Sequence, residues 1–163
     1  FQELIPCGIR IATDGFGNDR VLELRRDTES IGPVWYRCHD APVFLFQSNA
    51  LSEFIIETFK MCMDDGQSLV NVVHEEKVCD VWENDPGLLR VADCKDSTDP
   101  MLRDFAASLD DDLYVRDLRN AAPGDGFSWG KAIDFTIYRH DERPIYAFRR
   151  KRSLLDRILK RNL

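Results

Sequence analysis

Residues 9–46, IRIATDGFGNDRVLELRRDTESIGPVWYRCHDAPVFLF, constrain the fold more than any other stretch: strand-forming runs follow in quick succession around one glycine turn. Ile9 and Ile11 alternate with polar or small residues, and Leu22 and Leu24 flank Glu23. The runs 34–38 and 43–46 are rich in β-branched and aromatic side chains. Three or four strands are expected here. Between the first two lies Asp14-Gly15-Phe16-Gly17-Asn18, whose glycines can adopt positive φ and whose Asp14 and Asn18 can hydrogen-bond local amides. An antiparallel hairpin turning at 14–18 follows.

The 163 residues suit one domain, and a 44% hydrophobic content is ample for a core. The net charge of −7 argues against general affinity for phosphate backbones and favours a basic partner. That charge is unevenly spread. Residues 139–163 hold nine Lys/Arg and three Asp/Glu, which leaves 13 basic and 26 acidic groups in residues 1–138. Cys7, Cys38, Cys62, Cys79 and Cys94 are odd in number, widely spaced and without a CxxC pair, so neither a disulfide framework nor a zinc clip is signalled. A cytoplasmic location fits that usage. The sequence has no run apolar enough to cross a bilayer, and its first residues lack a signal-peptide pattern. It begins at Phe1 rather than methionine, as expected of a module from a longer polypeptide or a record lacking preceding residues.

Further along, Ser48 or Asn49 is expected to cap a helix reaching about residue 63. Leu51, Phe54, Ile55, Phe59 and Cys62 form its apolar face, and Asp64-Asp65-Gly66 ends it. Residues 67–98 are ambiguous: LVNVV and VCDVW read as strands, HEEK as a helical or turn insert, and Asn84-Asp85-Pro86-Gly87 as a turn. Asp99-Pro100 combines an N-cap with a first-turn proline, opening a helix with Met101, Leu102, Phe105 and Leu109 on one face. A short strand then leads into a glycine-rich loop bracketing Phe127 and Trp129. AIDFTIYRH and PIYAFRR read as a second hairpin. Residues 149–163 read as a basic amphipathic helix, with Leu154, Leu155, Ile158 and Leu159 on one arc.

No constellation carries catalytic chemistry, and no catalytic, metal-binding or cofactor-binding residue is expected. Cys38-His39-Asp40 names the residue types of a cysteine-nucleophile site, but successive strand residues face opposite ways. Asp93, Asp96 and Asp99 lack the glycine and terminal glutamate of a calcium loop. Glu75-Glu76 and Asp110-Asp111-Asp112 are adjacent rather than held across a cleft, and read as acidic surface for a basic protein. GDGFSWG lacks the Gly-Lys-Ser/Thr ending of a phosphate loop.

The ordered set Asp14-Gly15, Gly17-Asn18, Gly32-Pro33-Val34, His39-Asp40, then Ser48, Leu51 and Phe54-Ile55, resembles the SUKH superfamily in its Smi/Knr-type branch. The stretch DLRNAAPGDGFSWG is similar to the carboxy-terminal part of bacterial members. The helical Leu-Pro and aromatic segment that usually opens the family is missing here. The resemblance implies a single α+β domain over 1–163, with a curved, largely antiparallel sheet and flanking helices. It also implies binding rather than catalysis. Bacterial members resemble immunity proteins that neutralise polymorphic toxins, and fungal members resemble regulators of cell-wall synthesis. The leading expectation is a cytoplasmic immunity protein against a basic toxin domain, such as a nuclease, with no cofactor and no specific nucleic acid. A regulatory interaction scaffold is the alternative, and an uncharacterised hydrolase a distant third. Expected partner-binding residues are Asp110, Asp111, Asp112, His39, Asp40, Trp82 and Glu83, and Asp14, Gly15, Gly17 and Asn18 are expected to build the structural turn.

Overall fold

The computed structural model describes residues 4–25, 30–63, 66–141 and 143–150. The expected turn is present, with Gly15 and Gly17 at φ 82° and 90° between β1 (Gly8–Thr13) and β2 (Asp19–Arg25). These strands pair antiparallel, β3 (Ser30–Arg37) pairs with β2, and β4 (Phe44–Ser48) pairs with β3. Beyond β4 come α1 (Leu51–Cys62) and one helix in three parts: α2 (Leu69–Val72), a π-helical turn (Val73–Lys77) and α3 (Val78–Asn84). The chain continues through β5 (Leu88–Arg90), α4 (Val91–Lys95), α5 (Pro100–Ala107), β6 (Tyr114–Asp117), β7 (Gly126–Phe127), β8 (Ala132–Arg139) and β9 (Ile145–Arg150).

The fold is α+β, with antiparallel pairing throughout, and its strands divide between two sheets ordered β1-β2-β3-β4-β7 and β5-β6-β9-β8. Strand periodicity explains how the sheets stack. On the first sheet, Val21, Trp35, Phe44, Phe46 and Phe127 join the central core with Tyr146, Phe148 and Ala132 of the second sheet. The alternate residues, Leu22, Val34, Tyr36 and Leu45, point the other way, under α1, α2 and α3. On β9, Ile145 and Ala147 turn outward instead and pack with Val91, Cys94, Leu102 and Ala106 of α4 and α5. The result is four layers, helix–sheet–sheet–helix. Every residue from Ile145 to Phe148 is buried because β9 is covered on both faces. Gly126 is required where β7 meets β4, since a Cβ there would sit 2.0 Å from the Phe44 carbonyl oxygen.

The central core contains a polar clamp. Glu23 on β2 accepts a hydrogen bond from Trp35 Nε1 at 2.8 Å and is ion-paired with Arg139 on β8, which joins the two sheets. Tyr146 lies beneath the Arg139 guanidinium, 5.6 Å from ring centroid to Cζ, and donates its hydroxyl hydrogen to the Leu4 carbonyl. Burial pushes the Tyr146 phenol up in pKa, which keeps it a donor.

Several local expectations change. Ser48 belongs to β4, and the N-cap of α1 is Ala50 without a side-chain cap; Glu53 instead accepts a hydrogen bond from the Asn49 amide at 2.9 Å. On α1, Phe54 is buried, whereas Ile55, Phe59 and Cys62 face solvent. The strand-like runs of 67–84 are helical. Val70, Val73, Val78 and Val81 are the buried positions, and the five-residue step from Val73 to Val78 is taken up by the π-helical turn, which keeps all four valines on the sheet. Asp99 caps α5 as expected, accepting hydrogen bonds from the Met101 and Leu102 amides. The second hairpin is β8–β9. Arg149 and Arg150 end β9 rather than begin a helix, and the remainder of the expected terminal helix, like Asp64-Asp65, lies outside the described residues.

Glu23→Gln is expected to destabilise the fold by about 3–5 kcal/mol in urea denaturation, because it leaves the Arg139 guanidinium between the sheets without its counter-charge. Removing both groups, as Glu23→Leu with Arg139→Leu, should recover most of that loss.

Candidate functional site

The loop 14–18 is built as a fastener. Asp14 accepts hydrogen bonds from the Phe16 amide (2.9 Å), the Asn18 amide (3.3 Å) and Asn18 Nδ2 (2.6 Å). Asn18 Oδ1 in turn accepts from the His39 amide at 2.8 Å, tying the hairpin to the end of β3. Although desolvation pushes the Asp14 carboxyl up, the Asn18 side chain and the two amides hold its pKa below the ordinary value.

Beside this turn lies a pocket of about 350 Å³ between the hairpin and the helical layer. Ala12, Thr13, Asp14, Phe16 and Arg20 line it from the hairpin. Phe54, Thr58 and Met61 line it from α1, and Val70, Asn71 and His74 close it from α2 and the π-helical turn. Phe16 is 77% exposed and therefore stands at the rim. Arg20 is 7% exposed and its Cζ lies 3.8 Å from the centroid of the Tyr36 ring. Among the described residues Arg20 forms no ion pair, and its Nε has no hydrogen-bond partner. Burial pulls the Arg20 guanidinium below its ordinary pKa and pushes the Tyr36 phenol up. The Tyr36 hydroxyl is hydrogen-bonded to His74 Nδ1 at 2.8 Å, so the π-helical turn, β3 and β2 meet behind the pocket.

The expected partner-binding residues fall in separate places. Asp110 and Asp112 pair with Arg149 of β9, and Asp111 pairs with Lys95 of α4, so this acidic run is engaged by the second sheet and its helix. His39 and Asp40 are exposed at the end of β3. Trp82 is half-buried against the cluster of Tyr36, Cys38, Val43 and Val81, where Ala41 of the same turn also packs. Trp82 and the turn after His39-Asp40 are thus brought together. Lys131 Nζ sits 5.4 Å from the Trp82 ring centroid and donates to the Glu83 carbonyl at 3.1 Å; desolvation lowers its pKa. Of the cysteine-nucleophile residue types, Cys38 is buried while His39 and Asp40 are exposed. Among the described residues no group of three or more His, Cys, Asp or Glu is placed to hold a metal ion, and no helix is long and apolar enough to cross a membrane.

A second feature of the helical layer is uncovered apolar surface. Ile55, Ile56, Phe59 and Met63 form a stripe along α1, with Phe59 68% and Met63 82% exposed. Elsewhere in the same layer, on the π-helical turn and α3, Glu76, Asp80 and Glu83 are exposed and form no ion pair among the described residues. The helical period puts Ile55 and Phe59 on one apolar face with the buried Phe54, and no sequence expectation falls on Arg20. The available signal was parity: Arg20 shares its strand face with Leu22, the face that α1 covers.

No family model, no curated protein and no solved structure matches this chain.

Gly17→Ala is expected to cost about 1–2 kcal/mol in thermal unfolding, because a Cβ at positive φ clashes with the backbone. The Asp14 fastening should be pH-dependent with a fixed sign. Its carboxyl is depressed in the fold, so its contribution is full above the ordinary value of 3.8 and is lost as pH falls through the lower folded value. The amide resonances of Phe16 and Asn18 should move together in that acidic range, and Asp14→Asn should abolish the transition.

Proposed function

We propose that this chain is a non-catalytic protein-binding domain that occludes a basic protein partner, as a SUKH-type immunity protein would occlude a toxin domain. The observation that carries this reading is the exposed apolar stripe of α1 lying in the same helical layer as Glu76, Asp80 and Glu83, exposed acids that form no ion pair among the described residues. An apolar centre with a charged border is the usual anatomy of a protein interface, and monomers seldom leave such a stripe uncovered. The acids steer a basic partner on approach, and Phe59 and Met63 supply surface that desolvates on contact. This moves the weight of the interface from Asp110-Asp111-Asp112, whose charges meet Lys95 and Arg149 within the fold, to the helical layer. Five free cysteines suit a reducing compartment, so a cytoplasmic site of action belongs to the same reading.

The test is co-purification and stopped-flow association of the full chain with the product of the adjacent open reading frame. Phe59→Glu with Met63→Glu should weaken the complex by about 30-fold or more through faster dissociation. Glu76→Lys with Asp80→Lys and Glu83→Lys should slow association by about tenfold at low salt, with the difference shrinking as salt rises. All five positions are exposed, so stability should change by no more than about 0.5 kcal/mol per site. An association indifferent to salt and to both sets of changes would remove the helical layer from the interface.

A further inference from the structure

We propose that the pocket between the β1–β2 hairpin and α1 is a binding site for a small amphipathic carboxylate, with Arg20 as the group that receives the anion. This goes beyond the protein-binding reading and does not depend on it. An arginine inside a fold is ordinarily matched by a carboxylate, because desolvating the guanidinium costs several kcal/mol without one. Arg139 of the facing sheet follows that rule, paired with Glu23 of β2. Arg20 does not. It is nine-tenths buried, it forms no ion pair among the described residues, and its Nε lacks a hydrogen-bond partner. The Tyr36 ring beneath it offers cation–π contact, which compensates only part of the lost hydration.

The nearest acid does not fill the gap. Asp14 acts on Arg20 through space, but both its oxygens are already held by the Asn18 side chain and the Phe16 and Asn18 amides. Arg20 lines a cavity of about 350 Å³, within the size range of small-molecule sites. The remaining walls fix the ligand class. Ala12, Phe16, Phe54, Met61 and Val70 make most of the lining apolar, which calls for a hydrocarbon or aromatic body on the ligand. Arg20 is the one Lys or Arg among the described lining residues, and with the Asp14 carboxylate nearby this favours a monoanion over a doubly charged phosphate. The planar guanidinium suits the planar carboxylate, and Thr13, Thr58, Asn71 and His74 supply further polar groups around it.

The experiment titrates the full chain with hexanoate and benzoate, then with hexanamide and benzamide as neutral counterparts and with inorganic phosphate, following amide resonances by NMR. The carboxylates should shift Thr13, Asp14, Asn71 and His74 in a saturable way. The neutral amides should bind at least about tenfold more weakly, the loss expected of a charge-assisted hydrogen bond. Arg20→Gln should erase that preference, and Thr58→Trp, which fills the cavity while leaving Arg20 in place, should block binding of every probe. Equal binding of acids and amides, tighter binding of phosphate, shifts confined to the exposed stripe of α1, or no shift up to about 10 mM would each overturn the proposal.

Discussion

The buried contact of Glu23 with Trp35 and Arg139 is the interaction on which the arrangement of layers depends. Two sheets that meet only through apolar side chains can slide, because one well-packed aromatic interface resembles another of similar volume. A carboxylate between them cannot be satisfied in more than a few geometries. Glu23 belongs to β2 and Arg139 to β8, so the pair sets the offset of one sheet over the other, and the indole of Trp35 occupies the second carboxylate oxygen. Around that fixed point Trp35 stacks on Phe44 at 4.8 Å between centroids and meets Tyr146 edge-on, and Phe127 stacks on Phe148 at 5.1 Å. Burial of this pair gains little stability in itself, since desolvation offsets most of the attraction; what it contributes is a unique register.

With the inner faces committed in this way, pleat alternation decides everything outward of the sheets. Val21 and Glu23 turn inward, so Arg20 and Leu22 must turn toward the helices, and their cross-strand partners Tyr36 and Val34 go with them. The cavity beside Arg20 is therefore a consequence of the core and not a local accident of the hairpin. The fastening of Asp14 to Asn18 and of Asn18 to the His39 amide then holds the hairpin tip where it forms one wall of that cavity.

What could be read from the sequence was local. The glycine pair flanked by Asp14 and Asn18 specifies a turn whatever surrounds it, and Asp99-Pro100 specifies a helix start. The second hairpin was legible from its alternation. The helix over 69–84 was not, because valines spaced by three, five and three residues fit neither the helical nor the strand period until one turn widens. The stacking of two sheets left equally little trace: IYAF is buried on both sides, and such a run looks the same whether its second cover is a helix or another sheet. The helical period groups Ile55 and Phe59 with Leu51 and Phe54 on one apolar face, and such a stripe usually faces inward. On α1 the inward positions are Phe54, with Leu51 and Met61 partly covered, and the broader apolar arc is left outside.

The widened turn in the long helix also links the packing of the layer to the candidate site. A regular α-helix would carry Val73 and Val78 to positions about 140° apart, so one pair of valines would leave the sheet. Inserting one residue restores the phase, and it also sets His74 over the end of the Tyr36 ring, where Nδ1 meets the phenol hydroxyl. Tyr36 supports the Arg20 guanidinium from below. A single irregularity, demanded by the spacing of four valines, thus places an imidazole, a phenol and a guanidinium in contact at the back of one cavity. Three polar groups gathered by the packing of apolar ones, with the cation among them left without an ion pair among the described residues, is the combination that separates this cavity from an ordinary packing defect.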